Sequence, residues 1–194
     1  EYDIAVMATS NNAYINQSLT STIVKITRLA APTAFTLSEN IITIPTTSNL
    51  VESVEILIKD DNENQTEIAT DSVESFAGKI TVRAKYVGSG ENNLDSAYAT
   101  FQLERLLAVN NFKLKNDKLV WSSVANATLY EIVIQPENEA NPYIYQIPHQ
   151  SGELTFEYDF ELVCGYDISI TAIGDTTKYL NSQTSKITAT KAVA

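Results

Sequence analysis

Apolar and polar residues alternate in several short stretches of this chain, and this alternation predicts β-strands. The pattern is plainest at residues 80–84 and 168–172, where every second residue is apolar, and Ile4, Val6 and Ala8 occupy alternate positions of residues 4–8. Each stretch is expected to turn one apolar face toward a core. Residues 54–58 and 130–134 are rich in β-branched residues and are predicted as further strands. No segment combines apolar residues at helical spacing with a cap and a stop, so the chain is predicted to be all-β.

Turn-forming residues cluster between these predicted strands. The clusters lie at residues 60–64, 88–93 and 136–142, and each combines Asn, Asp, Gly or Pro with few apolar residues. We interpret all three as hairpin loops.

Part of the chain is repeated, and the repeat predicts its domain organisation. Residues 2–8 (YDIAVMA) match residues 166–172 (YDISITA), and residues 20–23 match residues 184–187, both at a spacing of 164. Tyr14 is matched with Tyr179 in the loop between them. A weaker copy aligns residues 80–84 with 168–172 and residues 94–96 with 180–182, while Phe35 and Phe112 mark unit starts 77 residues apart. We therefore predict the last hairpin of a partial domain at 1–28 and antiparallel sandwich domains at 31–107 and 108–194.

The third repeat, residues 108–194, resembles a fibronectin type III domain, in particular the tandem copies found in bacterial surface and secreted proteins. The resemblance implies that Trp121, Tyr130 and Tyr166 fill or brace an immunoglobulin-like sandwich core. The second repeat, residues 31–107, follows the pattern less closely. It carries Ile44, Val54 and Gly78 at the positions aligned with those three aromatic residues.

Composition and charge narrow the function classes. The formal net charge is −11 and the pI is about 4.5, which disfavours nucleic acid and anionic membrane surfaces as partners. No stretch approaches the roughly 18 to 20 apolar residues of a membrane span, so membrane insertion is not expected. The single cysteine, Cys164, excludes an intrachain disulfide and is predicted to be a buried structural thiol.

Candidate chemistry is sparse, and no enzyme, catalytic residue or cofactor is predicted. Any acyl-transfer arrangement would need His149, the only histidine, and we interpret it as an ordinary loop residue. Asp60, Asp61 and Glu63 form a weak candidate for calcium, although a solvated acidic loop is the preferred interpretation. The chain has too few His and Cys residues for a zinc site.

Three tyrosines are candidates for a ligand-facing surface. Tyr143, Tyr145 and Tyr158 lie in strands or near loops where alternate positions can face outward. A flat aromatic platform is typical of sugar-binding modules, and the sole tryptophan, Trp121, is assigned to the core instead.

The preferred functional hypothesis is a non-catalytic spacer and adhesion or protein-interaction segment of a larger bacterial cell-surface or secreted protein. Its partner is expected to be a protein or a glycan at the cell surface. Short linkers at residues 30–32 and 108–109 predict a semi-rigid, monomeric rod. The alternative is an accessory carbohydrate-binding module of a secreted glycoside-degrading enzyme, which requires exposed coplanar tyrosines. Residues 1–28 are interpreted as a truncated domain in preference to a hairpin that docks on a neighbour.

Overall fold

The computed structural model describes residues 1–11, 18–46, 48–161 and 164–191, and within them the chain is all-β. The predicted fold class is therefore confirmed. Tyr14, matched above with Tyr179, lies outside the described residues. No helix in the described part of the chain is long and apolar enough to cross a membrane.

The chain divides into two compact units. Unit 1 comprises Glu1–Ile58, Glu67–Val73 and Val82–Phe101, and unit 2 comprises Lys59–Thr66, Glu74–Thr81 and Gln102–Ala194. This division groups residues by contact and cuts across three long strands of the second repeat. The domain boundaries predicted from the repeat stay predictions.

The first repeat contributes two paired strands. They are β1 (Tyr2–Ile4) and β2 (Val24–Arg28), joined antiparallel with Tyr2 opposite Ile26. Ile4 and Val6 are 46% and 68% exposed. The general expectation of a core-facing side therefore does not hold at Ile4 and Val6, as the interpretation of residues 1–28 as the last hairpin of a partial domain implies, because such a hairpin leaves an apolar face uncovered.

The second repeat contains seven strands, three of which have seven to ten residues. They are β3 (Thr36–Ser38), β4 (Ile41–Thr43), β5 (Val51–Asp60), β6 (Ile68–Ala69), β7 (Lys79–Gly88), β8 (Asn93–Leu94) and β9 (Ala99–Arg105). The central sheet has the order β9-β7-β5-β6, and β3 and β4 form a separate antiparallel pair. Ile80, Val82 and Ala84 alternate inward on β7 and are fully buried, as predicted.

The third repeat is a complete sandwich. Its strands are β10 (Lys113–Lys115), β11 (Lys118–Ser122), β12 (Leu129–Pro136), β13 (Tyr143–Pro148), β14 (Glu153–Glu157), β15 (Gly165–Ile173), β16 (Tyr179–Leu180) and β17 (Ser185–Thr190). One sheet has the order β10-β11-β14 and the other β13-β12-β15-β17. In constant-type immunoglobulin domains, the sheet that contains the first strand has four strands. Here that sheet has three strands and the other has four, and the fold is fibronectin type III-like.

The core of the third repeat lies between these two sheets. Trp121 and Tyr130 are fully buried with their ring centroids 5.5 Å apart, and Tyr166 is 2% exposed. The roles predicted for these three aromatic residues are confirmed. Leu106, which precedes the predicted boundary at residue 108, belongs to the same buried cluster.

The alignment of the second repeat with the third needs one correction. Gly88 and Gly174 make equivalent contacts at the ends of β7 and β15, and Lys79 and Gly165 make equivalent contacts at their beginnings. Both pairs are 86 residues apart, so the residue equivalent to Tyr166 is Ile80 rather than Gly78. The sequence alignment of residues 80–84 with 168–172 is thus displaced by two positions. A shift of two keeps the same face inward, because side chains alternate with a period of two residues.

Candidate interaction site

His149 and Cys164 have structural surroundings. The His149 Nδ1 atom lies 3.1 Å from the Tyr130 hydroxyl, and the two rings stack at 5.9 Å. The same hydroxyl accepts a hydrogen bond from the Val124 backbone N–H at 2.7 Å. His149 thus lies in a loop, as predicted, and braces a core tyrosine whose pKa is raised by burial. Cys164 is buried, as predicted.

The acidic loop after β5 is organised around one carboxylate. Asp60 is 5% exposed, and its side chain accepts hydrogen bonds from the backbone N–H groups of Asn62, Asn64 and Ala77. Burial opposes ionisation of Asp60, but these hydrogen bonds outweigh it, so its pKa lies below the ordinary value. The prediction of a solvated loop is therefore wrong for Asp60, because this carboxylate satisfies backbone donors in the turn.

The other two calcium candidates do not join Asp60 in a cluster. One Asp61 oxygen accepts a hydrogen bond from the Lys79 N–H at 2.9 Å, and Glu63 is exposed. Across the described ranges, no three His, Cys, Asp or Glu side chains come together in a way that could hold a metal ion.

The three candidate tyrosines lie together on the third repeat. The Tyr143 and Tyr145 rings are 6.1 Å and 6.0 Å from the Tyr158 ring, and Tyr145 also contacts Phe156 at 4.8 Å. Tyr158 is half-buried, and burial together with the nearby tyrosines raises its pKa to about 12. The rings of Tyr143 and Tyr145 are inclined by 50° and 69° to that of Tyr158. The cluster therefore presents edges at different angles instead of one flat face.

Sequence reasoning missed a feature that occurs twice in the structure, which we call the junction clasp. It joins the last strand of one repeat to a loop of the next by a short parallel pairing. In the first clasp, inside unit 1, Thr27 and Arg28 of β2 pair with Asn93 and Leu94 of β8. In the second, inside unit 2, Glu104 and Arg105 of β9 pair with Tyr179 and Leu180 of β16.

The two clasps use equivalent hydrogen bonds. In the first, the N–H groups of Thr27 and Leu29 donate to the carbonyls of Asn92 and Leu94 at 2.9 and 3.1 Å. In the second, the N–H groups of Glu104 and Leu106 donate to the carbonyls of Lys178 and Leu180 at the same two distances. Donors are 77 residues apart and acceptors 86 residues apart along the chain, the spacings that relate one repeat to the next.

An arginine completes each clasp. Arg28 Nη1 donates to the Asp95 carbonyl at 3.2 Å, and Arg105 Nη1 donates to the Asn181 carbonyl at 2.9 Å. Arg28 is exposed, whereas Arg105 is 8% exposed and also donates from Nε to the Phe76 carbonyl at 2.7 Å. Desolvation by burial lowers the pKa of Arg105, but a guanidinium keeps its charge in proteins. The second clasp is therefore the more deeply buried of the two.

The loop of each clasp is held by a glycine and a serine. A Cβ atom at Gly88 would lie 2.0 Å from the Asn93 carbonyl oxygen, and one at Gly174 would lie 2.0 Å from that of Tyr179. The Ser96 hydroxyl accepts the Tyr86 N–H at 2.9 Å, and the Ser182 hydroxyl accepts the Ala172 N–H at the same distance. Only glycine allows this close approach of two backbone segments.

An ion pair reinforces the loop of the first clasp. Lys85 lies 2.9 Å from Asp95 and 3.1 Å from Glu55, and Asp95 also accepts the Gly88 N–H at 3.2 Å. The hydrogen bond from Lys85, followed by that from Gly88, lowers the pKa of Asp95. At the equivalent place in the second clasp the neutral Asn181 accepts the Gly174 N–H at 3.0 Å.

No protein-family model matches the chain, and no relative was found among curated proteins. The chain is similar to the solved FN1–FN3 domains of chicken CNTN1, with 16% identity over 97% of this chain and 77% of that one and a TM-score of 0.36. It is also similar to a two-domain fibronectin type III segment of chicken tenascin, with 9% identity over 82% and 98% of the chains and a TM-score of 0.38. A third similar structure is the chicken interferon gamma receptor alpha chain, with 8% identity over 82% and 96% and a TM-score of 0.33. Nothing about ligands or partners follows from similarities at these scores.

Proposed function

We propose that this chain is a non-catalytic spacer and interaction segment of a bacterial cell-surface or secreted protein. The junction clasp is the observation that carries the proposal. A spacer must transmit the position of one domain to the next, and a repeated set of backbone hydrogen bonds across each junction provides the means. The net negative charge supports this role, because it favours solubility and disfavours non-specific binding to nucleic acids and other polyanions.

The spacer role predicts that the junctions are as ordered as the strands they connect. Nitrogen-15 relaxation of the isotopically labelled chain measures this on the picosecond to nanosecond timescale. Residues 29–31 and 106–108 should give heteronuclear NOE values equal to those within β12 and β15. Values typical of a flexible linker at these residues, with normal values in the strands, would contradict the spacer role.

The adhesive part of the proposal concerns location and partner. We propose that the segment is exposed outside the cell and contacts a protein there. The tilted rings of Tyr143, Tyr145 and Tyr158 support a protein partner over the carbohydrate alternative, since stacking on one face of a sugar needs a flat platform. Antibodies raised against this chain should label intact bacterial cells that express the parent protein. Labelling only after the cells are lysed would contradict an external location.

A further inference from the structure

The third repeat ends in the same backbone arrangement that supports the second clasp. At the second clasp the Arg105 N–H donates to the Gly78 carbonyl at 2.8 Å, and at the end of the chain the Lys191 N–H donates to the Cys164 carbonyl at 3.1 Å. Lys191 follows Arg105 by 86 residues, and Cys164 follows Gly78 by the same number. The neighbouring turn is also reproduced, since the Asp61 N–H donates to the Lys79 carbonyl at 3.1 Å and the Glu137 N–H to the Gly165 carbonyl at 2.9 Å.

This arrangement directs one backbone N–H group of β17 away from β15, its neighbour in the sheet. Successive N–H groups of a strand point in opposite directions within the sheet plane. Arg105 donates inward to the sheet, and its neighbour Glu104 donates outward to the Lys178 carbonyl of the clasp loop. Lys191 likewise donates inward, so the N–H of Thr190 points outward. β17 is the edge strand of its sheet, and among the described residues its only strand partner is β15.

The side chains at this end also correspond to those of the second clasp. Lys191 occupies the position of Arg105, and its ammonium group can donate to a carbonyl as the guanidinium does. Beside it lies a groove of about 450 Å³ lined by Thr190, Lys191, Tyr158, Phe160 and Tyr166 among others. An exposed edge with an outward N–H, a cation and an adjoining groove together form an open version of the second clasp.

We propose that Thr190 and Lys191 form a third docking site, which binds the Leu-(Asp/Asn)-Ser loop of a repeat placed directly after them in the polypeptide. Both described clasps are filled in this way, by the loop of the following repeat in the same chain. The site would take residues equivalent to Lys178–Asn181 by parallel pairing. This inference goes beyond the spacer function, because it names a binding site and its occupant and depends on neither the location nor the adhesion partner.

An extended chain tests the proposal directly. A second copy of residues 109–191 is joined after Ala194, which keeps the register because Ala194 takes the place of Ala108. Residue-resolved hydrogen exchange is then measured for the Thr190 amide in the natural and the extended chain. We expect exchange at Thr190 to slow by at least about tenfold in the extended chain, while the Glu104 amide, already paired in the second clasp, stays unchanged.

The matched control replaces the three residues equivalent to 179–181 by glycine in the appended copy alone, and Thr190 should then exchange as in the natural chain. Equal exchange at Thr190 in all three proteins would overturn the proposal. Exchange at Thr190 in the natural chain could instead become slower as the protein concentration rises, with a dimer detected by light scattering. That result would show that a second copy of the chain fills the site and would overturn the proposed occupant.

Discussion

Removing the guanidinium of Arg105 should destabilise unit 2 far more than the equivalent change at Arg28. Arg105 is 8% exposed and donates to two carbonyls, those of Phe76 at 2.7 Å and Asn181 at 2.9 Å. Hydrogen bonds from a charged donor are worth about 1.5–3 kcal/mol each, and buried carbonyls that lose their donor add a penalty. Because water recovers part of this loss, we expect Arg105→Ala to lower the free energy of unfolding by about 3 kcal/mol.

The control substitution is Arg28→Ala. Arg28 is exposed and makes one contact of this kind, to the Asp95 carbonyl at 3.2 Å. A surface substitution of this type costs about 0.5 kcal/mol or less, and Arg28 lies in unit 1, so we expect Arg28→Ala to leave the unfolding of unit 2 as in the natural chain. Arg105→Lys serves as an intermediate, because an ammonium group keeps the charge but cannot span both carbonyls as a planar guanidinium does.

Urea unfolding followed by tryptophan fluorescence measures these differences. Trp121 is the only tryptophan and is fully buried in the core of the third repeat, so its emission reports the unfolding of the unit that contains Arg105. The expected order of midpoints is natural chain and Arg28→Ala highest, Arg105→Lys lower and Arg105→Ala lowest. Equal midpoints for the two alanine variants would refute the reasoning, since the second clasp would then contribute nothing to stability.

Three further predictions concern individual side chains. Gly174→Ala should lower the thermal midpoint more than Gly90→Ala. A Cβ at Gly174 would lie 2.0 Å from a backbone oxygen, whereas a Cβ at Gly90 meets no atom and the only strain there comes from its positive φ of 71°. Equal shifts of the midpoint in calorimetry would contradict this prediction. The backbone N–H groups of Lys178 and Tyr179 hold the pKa of Asp175 at about 2, below its ordinary 3.8, so its stabilising effect is present above pH 3.8 and is lost as the pH falls toward 2. Asp175→Asn should therefore flatten the stability profile over that range, and an unchanged acid profile would show that the carboxylate has no such role. Tyr158, with its pKa at about 12, should ionise after the ordinary tyrosines in an ultraviolet titration of the folded chain, and Tyr158→Phe should remove a late phase; a titration that Tyr158→Phe leaves unaltered would contradict the assignment.

The strands and the core of the third repeat could be predicted because their signals are local. The alternation at residues 168–172 depends on neighbours a few residues away, and the core positions of Trp121 and Tyr130 are implied by the resemblance of residues 108–194 to a fibronectin type III domain. The register of the second repeat could not be fixed in the same way. A displacement by two positions leaves the apolar face unchanged, and only the contacts of Gly88 and Gly174 distinguish the two alignments.

The junction clasp was missed although its residues recur in the sequence. Residues 94–96 and 180–182 match in the sequence, but only as part of a weaker copy of the repeat. Their function depends on pairing between segments about 65 to 75 residues apart, and alternation within a single strand carries no information about such pairing. The signal that could have found the clasp is the recurrence of Arg-Leu at 28–29 and 105–106, at the spacing of the repeat.

The aromatic cluster shows a similar limit. The sequence predicted that Tyr143, Tyr145 and Tyr158 lie where alternate positions can face outward, and the structure brings the first two to Tyr158. The angles between the rings depend on the packing of Phe156 and other neighbours beneath them, which no local pattern specifies. Position was therefore predictable and platform geometry was not.

Hydrogen exchange at the four amides of the two clasps tests the central claim most directly. The Thr27, Leu29, Glu104 and Leu106 N–H groups should exchange as slowly as those of the strands they adjoin, because each donates to a carbonyl of the following loop. Arg105→Ala should accelerate exchange at Glu104 and Leu106 and leave Thr27 and Leu29 unaffected. Exchange at all four amides as fast as in an unstructured peptide would contradict the clasps, and with them the account of this chain as a series of coupled repeats.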